Sequence, residues 1–541
     1  MNNSTYCFPQ TVNEPVLNYL TGSPDRVALD RELERQSSSP IEIPIIIGGR
    51  ELFTGETGKV VMPHNHKHIL ATYHKAGEKE VKMAIEAATK ARKEWSEVNW
   101  FTRATIMLKV ADLLTTKYRA AMNAATMLGQ SKNIYQAEID AVCETADFLR
   151  FNVQFASDIY KRQPISSANH INRVEYRALE GFVFALSPFN FTSIASNLNL
   201  SPVMMGNTTV WKPATTAILS NYYLMKIFME AGLPAGVVNF VPGSGALIGK
   251  YVMESSHFAG LHFTGSNETF NSLWKQAGDN LSKYISYPRL VGETGGKDFI
   301  FVHPSANVKE VATAAFAGAF EFQGQKCSAA SRMYLPNSLW AGVRDNMIEY
   351  SKSIKMGDVK DSSNFINAVI DEASFDNIAS YIDYAKASPE AEIVFGGRYD
   401  KSVGYFIEPT MILTTNPHFK SMEEEIFGPV ITVYIYEDSE MDEALELCNT
   451  TSPYGLTGAV FSRDRIAAEA ISDSLRYAAG NFYINDKPTG AVVGRQPFGG
   501  SRGSGTNDKA GGEQNLLRWV TPRTIKETFI PATDICYGYM K

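Results

Sequence analysis

Apolar residues recur at helical spacing in two early stretches. Val81, Ile85, Ala88 and Trp95 predict a helix over 78–98, and Ile106, Val110 and Leu113 predict another over 102–118. From residue 181 the pattern changes. The run GFVFALS at 181–187 is apolar almost throughout and ends in a polar residue, which suits a strand covered on both faces. Residues 208–211 repeat it. A helix over 218–232, a strand over 237–241, a helix over 246–254 and a strand over 260–263 follow. Strands alternating with helices imply parallel βαβ units. A second alternating stretch runs from Phe299 to about Phe461. Upstream, IEIPIII at 41–47 reads as one strand. Residues 1–40, with Pro9, Pro15, Pro24 and Pro40, read as a polar arm along the surface. Beyond Gly480 the glycines from Gly490 to Gly512 predict a loop-rich end without a helix. There is no internal repeat and no low-complexity tract.

Composition narrows the class. At roughly 150 residues per domain, 541 residues make three to four units and at least two large domains. An apolar content of 44% is ample for a core. Lys and Arg number 51 against 58 Asp and Glu, a net charge of −7, which offers no attraction to phosphate backbones, so no nucleic-acid partner is expected. No apolar run approaches the ~18 residues that cross a bilayer, so no membrane association is expected. Five cysteines without a CxxC pair point to a reducing compartment. Residues 1–25 hold no Lys or Arg and two acids, Glu14 and Asp25, whereas leader peptides need early basic charge. A cytoplasmic protein is expected, with an imported form in the mitochondrial matrix as the alternative.

Several segments carry possible chemistry, each beside a plainer reading. GSGALIG, from Gly243 to Gly249, follows a strand and opens a helix, one residue longer than the dinucleotide fingerprint. It is a nucleotide site or a tight turn. Phe263-Thr-Gly-Ser266 ends a strand, and Ser266 can cap the next helix, whose free N–H groups suit a phosphate or simply start a helix. Gly324-Gln-Lys-Cys327 breaks an Ala/Phe-rich helix and puts Cys327 in a loop, as a nucleophile or a small buried hydrophobe. Cys143 and Cys448 take the second reading, and Cys7 and Cys536 carry no signal. Glu293, amid glycines at a strand end, is mobile and approachable as a general base, or a solvated loop acid. Asn190 can donate to an oxyanion or form an Asx turn. His64, His66 and His68 alternate like ligands on a strand face, but no Cys or acid follows nearby to complete a metal site, and none is expected.

Taken together and in order, these segments resemble the aldehyde dehydrogenase superfamily. The matching motifs are Pro188-Phe-Asn-Phe191, Trp211-Lys-Pro213, Phe263-Thr-Gly-Ser266, Glu293-Thr-Gly-Gly-Lys297, Gly324-Gln-Lys-Cys327 and Glu424-Glu-Ile-Phe-Gly-Pro429. Within it, the chain is similar to the branch that acts on L-glutamate γ-semialdehyde, the open form of Δ1-pyrroline-5-carboxylate. Asn13-Glu-Pro15, Gly129-Gln-Ser131, Gln136-Ala-Glu-Ile-Asp140 and the stretch from Ala479 to Asp486 carry that likeness.

The resemblance implies an α/β fold of two Rossmann-like three-layer domains plus a small β oligomerisation flap, and a homo-oligomer, a dimer or a multiple of one. It places a NAD-binding domain at 1–163 and 182–290, a catalytic domain at 291–480, and the flap and tail at 164–181 and 481–541. It implies NAD-dependent oxidation of the semialdehyde to L-glutamate in proline degradation. Cys327 would form a thiohemiacetal and then a thioester, Asn190 would hold the oxyanion, and Glu293 would activate the hydrolytic water. Ser187, Lys212, Gly265, Ser266, Asn267, Glu268, Thr269, Glu425 and Phe427 would bind the cofactor, with Lys212 and Glu425 on its two riboses. Gly490, Ala491 and Ser328 would take the substrate carboxylate, Glu144 would lie near the ammonium, and Phe191 and Phe498 would pack on the aliphatic chain. Two positions depart from the family: Ala491, where the branch carries Ser, and Thr215, where many NAD-dependent relatives carry an acid. The alternatives are the same chemistry on another semialdehyde, such as succinate semialdehyde, and a catalytically silent member of the fold. The length leaves no room for a second barrel of about 250 residues.

Overall fold

Short runs that are apolar on both faces become the central strands of two sheets, because only a strand covered above and below can bury every side chain. In this computed structural model, which describes Tyr6 and residues 8–541, the first sheet has seven strands. Their spatial order is Arg289–Glu293, Phe258–Thr264, Phe182–Leu186, Thr209–Lys212, Val238–Phe240, Ile45–Ile47 and Arg50–Leu52. The first five are mutually parallel, and the last two add antiparallel. Chain order runs outward in both directions from Phe182–Leu186, whose Phe182 to Ala185 are fully buried. A parallel sheet that reverses direction in this way opens a crevice at the carboxyl ends of the strands flanking the switch. Those ends are Leu186 and Thr264.

The second sheet also has seven strands, in the order Ala391–Phe395, Thr410–Thr414, Val430–Tyr436, Ala330–Pro336, Asp298–Val302, Thr457–Phe461 and Asn481–Ile484. All pairs are parallel except the first. Four residues, 294–297, join the carboxyl end of Arg289–Glu293 to the amino end of Asp298–Val302. The carboxyl edge of the first sheet therefore meets the amino edge of the second. A separate antiparallel ribbon pairs His170–Ala178 with Val520–Thr528.

The helices follow the apolar spacing. Glu78–Glu97 buries Val81, Ala84, Ala88 and Trp95, and Trp100–Thr115 buries Met107, Val110 and Leu114. Four expectations change. The segment 41–47 is two strands in two sheets, because Pro44 has no N–H to continue a ladder: Ile41–Ile43 pairs with Asn65–His74, and Ile45–Ile47 joins the first sheet. The arm at 1–40 contains the helix Pro24–Ser38, capped by Ser23, opened by Pro24 and buried at Leu29 and Leu33. The glycine-rich end contains the short helix Glu513–Leu517 besides its strands. The boundary at 290/291 falls inside a strand of the first sheet, and the boundary at 480/481 would leave Asn481–Ile484 out of the second sheet that it completes. No helix among the described residues is long and apolar enough to cross a membrane.

Candidate active site

Cys327 lies where a helix is forced to stop. After Val308–Phe320 the chain turns through Phe322 and Gln323, both left-handed at φ 53° and 55°. A side chain at Gly324 would strike the carbonyl of Gly428. Strained backbone of this kind persists only when its surroundings fix it. Gln323 does so: its Nε2 donates to the carbonyls of Ser131 (2.9 Å) and Ala368 (2.8 Å), and its Oε1 accepts from the Asn367 N–H (3.1 Å). Cys327 follows just before the strand Ala330–Pro336. Burial pushes its thiol well above the ordinary range, and negative charge at Asp298, Glu293 and Glu425 pushes it further.

The amide and carboxylate expected beside it are there. Asn190, just past Phe182–Leu186, donates from Nδ2 to the Gln325 carbonyl at 3.3 Å, two residues from Cys327. Its Oδ1 is buried without a hydrogen-bond partner. Glu293 corrects the expectation of a mobile or solvated acid. It ends a strand, bridges to Gly505, and has Oε2 buried without a partner. Burial raises its pKa well above the carboxylate range, opposed by the nearby Lys509 ammonium. Lys509 is itself held by the carbonyls of Gly480 and Gly499, each at 2.9 Å.

Between these groups lies a cluster that sequence reasoning missed, although the motif from Glu293 to Lys297 borders it. The Lys297 Nζ and the Asp298 Oδ2 are both buried without hydrogen-bond partners. Burial and the Arg332 charge push Lys297 down to about 7, and burial raises Asp298 well above its ordinary value. Glu425 accepts from the Gly296 N–H at 2.8 Å and is pushed up to about 7 by burial. A side chain at Gly295 would strike its carboxylate.

The expected cofactor residues line the switch-point crevice. Ser187 accepts from the Trp211 indole at 3.0 Å. Burial alone lowers Lys212, and Gly245 lies against its stem. The GSGALIG segment is a capped turn beside that lysine, with Ser244 accepting from the Leu247 N–H. Gly265 ends the neighbouring strand, and Ser266 caps the helix Asn267–Asp279 through the Thr269 N–H, with Glu268 in the first turn. Asn267 spends its amide on the Gly503 carbonyl. Phe427, at φ 57°, sets its ring edge-on to Phe189.

The residues expected to bind the substrate come from separate elements. Glu144 ends a π-helical turn, Glu138–Glu144, a distortion often found at functional sites. It accepts from the Ser193 hydroxyl at 2.7 Å and is pushed up to about 8 by burial and by Asp140. Asp140 and Lys132, also missed, form a buried pair at 2.5 Å, and the Lys132 ammonium lies 4.4 Å over the rings of both Phe191 and Phe322. The spacing of Asp140 and Glu144, four apart on one helix face, was the available signal. The Ser328 hydroxyl is 2.8 Å from that of Thr489, which ties the cysteine turn to the loop of Gly490 (φ +97°) and Ala491. Phe498 bridges to Ala510.

The remaining candidates have separate partners. His64 faces Asp358 at 3.4 Å, His66 bonds the Lys401 carbonyl and His68 that of Ser37. No group of three His, Cys, Asp or Glu suited to a metal occurs among the described residues. Burial raises Cys143 far above its ordinary value and Cys448 to about 12. Cys536 is exposed, and Cys7 lies outside the described residues.

A half-buried thiol near the join of the two sheets, with an amide and a carboxyl nearby, accords with the family that the chain matches. The model of the aldehyde dehydrogenase family matches residues 53–525, and the chain belongs to that family. Among its relatives, the mitochondrial delta-1-pyrroline-5-carboxylate dehydrogenase of Dictyostelium discoideum is 53% identical, over 98% of this chain and 96% of the relative. The human mitochondrial enzyme of the same name is 48% identical, over 98% and 95%. The solved delta-pyrroline-5-carboxylate dehydrogenase of Mycobacterium tuberculosis, bound with NAD, is 48% identical and covers 100% of both chains at a TM-score of 0.96.

Proposed function

We propose that this chain oxidises L-glutamate γ-semialdehyde, in equilibrium with Δ1-pyrroline-5-carboxylate, to L-glutamate with NAD, a step of proline degradation. The observation that carries the reading is a set of contacts around one thiol. It joins Cys327, Asn190 and Glu293 to a head flanked by Glu144 and by the loop of Gly490 and Ala491, which Ser328 and Thr489 tie to the cysteine turn. The names of the relatives and the NAD in the Mycobacterium structure support it.

The residues present fit that cofactor. The crevice at Leu186 and Thr264 is where such sheets take dinucleotides, and a buried lysine and a buried carboxyl stand along it. Lys212 would hold the adenosine ribose, Glu425 the nicotinamide ribose, and NAD bound there supplies the hydride acceptor. The Cys327 thiolate adds to the aldehyde carbon, and the new oxyanion is held by the Asn190 Nδ2 and the Cys327 N–H. After hydride loss the substrate is a thioester on Cys327. Glu293, ionised, takes a proton from water as that water attacks the thioester. The C–S bond breaks, the thiolate leaves, and L-glutamate is released. Backbone N–H groups at 490–491 and the Ser328 hydroxyl would receive the α-carboxylate, and Glu144 the ammonium.

A homo-oligomer, a dimer or a multiple, would form through the flap, where no further strand joins the ribbon His170–Ala178 and Val520–Thr528 among the described residues and Ile171 and Phe529 are exposed. The names of the Dictyostelium and human relatives favour the mitochondrial matrix over the cytoplasm. The test is NADH formation with Δ1-pyrroline-5-carboxylate and NAD, beside NADP and beside succinate semialdehyde. Strong turnover with the first pair is expected. Turnover with succinate semialdehyde but none with pyrroline carboxylate would overturn the substrate while leaving the family chemistry standing.

A further inference from the structure

We propose that Asn13, in the arm before the first helix, is a positioning residue for substrate specificity. It joins the helix that carries Glu144 to the loop that carries Gly490 and Ala491. The proposal rests on the reading that these two elements take the ammonium and carboxylate of an amino-acid semialdehyde.

The helix running from the π-turn Glu138–Glu144 into Thr145–Lys161 presents two rows of side chains. Residues four apart share a face. Asp140 and Glu144 point to the pocket, where Asp140 accepts from the Ser193 N–H (2.9 Å) and Glu144 from its hydroxyl (2.7 Å). Cys143 and Asp147, in the adjoining row of the same helix, bond to the arm. The Cys143 thiol donates to the Pro15 carbonyl at 3.7 Å, and Asp147 accepts from the Glu14 N–H at 2.7 Å and the Asn13 Nδ2 at 2.8 Å. The same Nδ2 donates to the Val493 carbonyl at 2.9 Å, and the Asn13 Oδ1 accepts from the Arg495 Nε at 3.1 Å. One amide thus spans from the back of the Glu144 helix to a point two residues past Ala491.

The arm is a firm base for this bridge. Glu14 pairs with Arg119 at 2.7 Å and Arg150 at 2.6 Å, and the Tyr19 hydroxyl donates to Glu138 at 2.8 Å. Ser328 holds Thr489 at the near end of the loop, and the Asn13 amide ties its far end, at the buried Val493, to the arm. Loss of the far clamp lets the N–H groups at 490–491 drift relative to Glu144. Displacements of about 1 Å cost up to 10²-fold in rate when they misplace a substrate.

The experiment compares the full-length wild type with Asn13→Ala, Asn13→Asp and Arg495→Ala. It uses Δ1-pyrroline-5-carboxylate and propanal as substrates, and NAD affinity read by quenching of tryptophan emission. Asn13→Ala should raise KM for pyrroline carboxylate about tenfold, leaving kcat/KM for propanal and NAD affinity unchanged. Asn13→Asp is isosteric but cannot donate to Asp147 or Val493, so it should fall as far. Arg495→Ala, at an exposed residue, should shift the same ratio less. A parallel loss on both aldehydes, rescue by Asp, or no change in the ratio would overturn the positioning role. A wild type that does not prefer pyrroline carboxylate would instead overturn the substrate reading, and this proposal with it.

Discussion

Asp140→Asn tests whether Asp140 and Lys132 are an ion pair in more than geometry. Asp140 and Lys132 lie 2.5 Å apart with side chains 1% and 2% exposed, so removing one charge strands the other in the interior. Breaking such a pair costs about 3–5 kcal/mol. The stranded lysine can escape by losing its proton. From a reference pKa of about 10.4 and about 1.36 kcal/mol per unit, that escape costs about 4.6 kcal/mol at pH 7 and about 1.9 at pH 9. The second loss is independent of pH. Asp140 also accepts from the Thr192 and Ser193 N–H groups, and Asn has one oxygen for the two. In the variant the unfolded lysine binds more protons than the folded one, so stability rises with pH. The gap to wild type should therefore shrink by about 2–3 kcal/mol between pH 7 and pH 9. Urea unfolding followed by tryptophan emission at both pH values measures it. The double variant Lys132→Met, Asp140→Asn should recover most of the loss, because a buried pair replaced on both sides is nearly neutral. An equal gap at both pH values would refute the charge argument and leave the uncapped start of Thr192–Met204 as the whole effect.

Four further outcomes are expected. Cys327→Ala should abolish aldehyde oxidation while NAD affinity by fluorescence quenching stays at the wild-type value. Glu293→Gln should slow deacylation about 10²–10⁴-fold and expose a rapid burst of NADH in stopped flow. Wild-type kcat should climb with pH on a limb displaced above the ordinary carboxylate range, because burial raises Glu293 and only its ionised form can act as base. That limb should vanish in Glu293→Gln. Ala491→Ser should lower KM for pyrroline carboxylate and leave propanal unchanged, since a hydrogen bond to a charged group contributes roughly 1.5–3 kcal/mol.

The central strands were legible because burial on both faces leaves no polar residue to interrupt the pattern, as at Phe182–Leu186 and Phe258–Thr264. The break at Pro44 was not, since apolar residues continue across it while the chain changes sheets. The helix Pro24–Ser38 carries its start signal in Ser23 and Pro24. It buries few large residues, so its apolar period is faint. In the site, Cys327, Asn190 and Glu293 were each ambiguous and became readable only as an ordered set. Lys132 was not readable at all, and Asp140 only through its spacing from Glu144, because what marks the pair is a contact with Phe191 and the head of a helix 52 residues further on. The bridge through Asn13 spans 480 residues, and no local pattern encodes it.

The crowding around Cys327 explains why this thiol is held neutral. Asp298, Glu293 and Glu425 each oppose its ionisation, and three ionised carboxylates beside it would suppress the thiolate. The burial that raises the thiol also raises these acids, to about 7 for Glu425 and well above their ordinary range for the other two. Thiol and acids compete for the same scarce positive potential, to which Lys326, Lys297, Lys509 and Arg332 contribute. Any cation that enters the crevice favours the thiolate and the ionised base together.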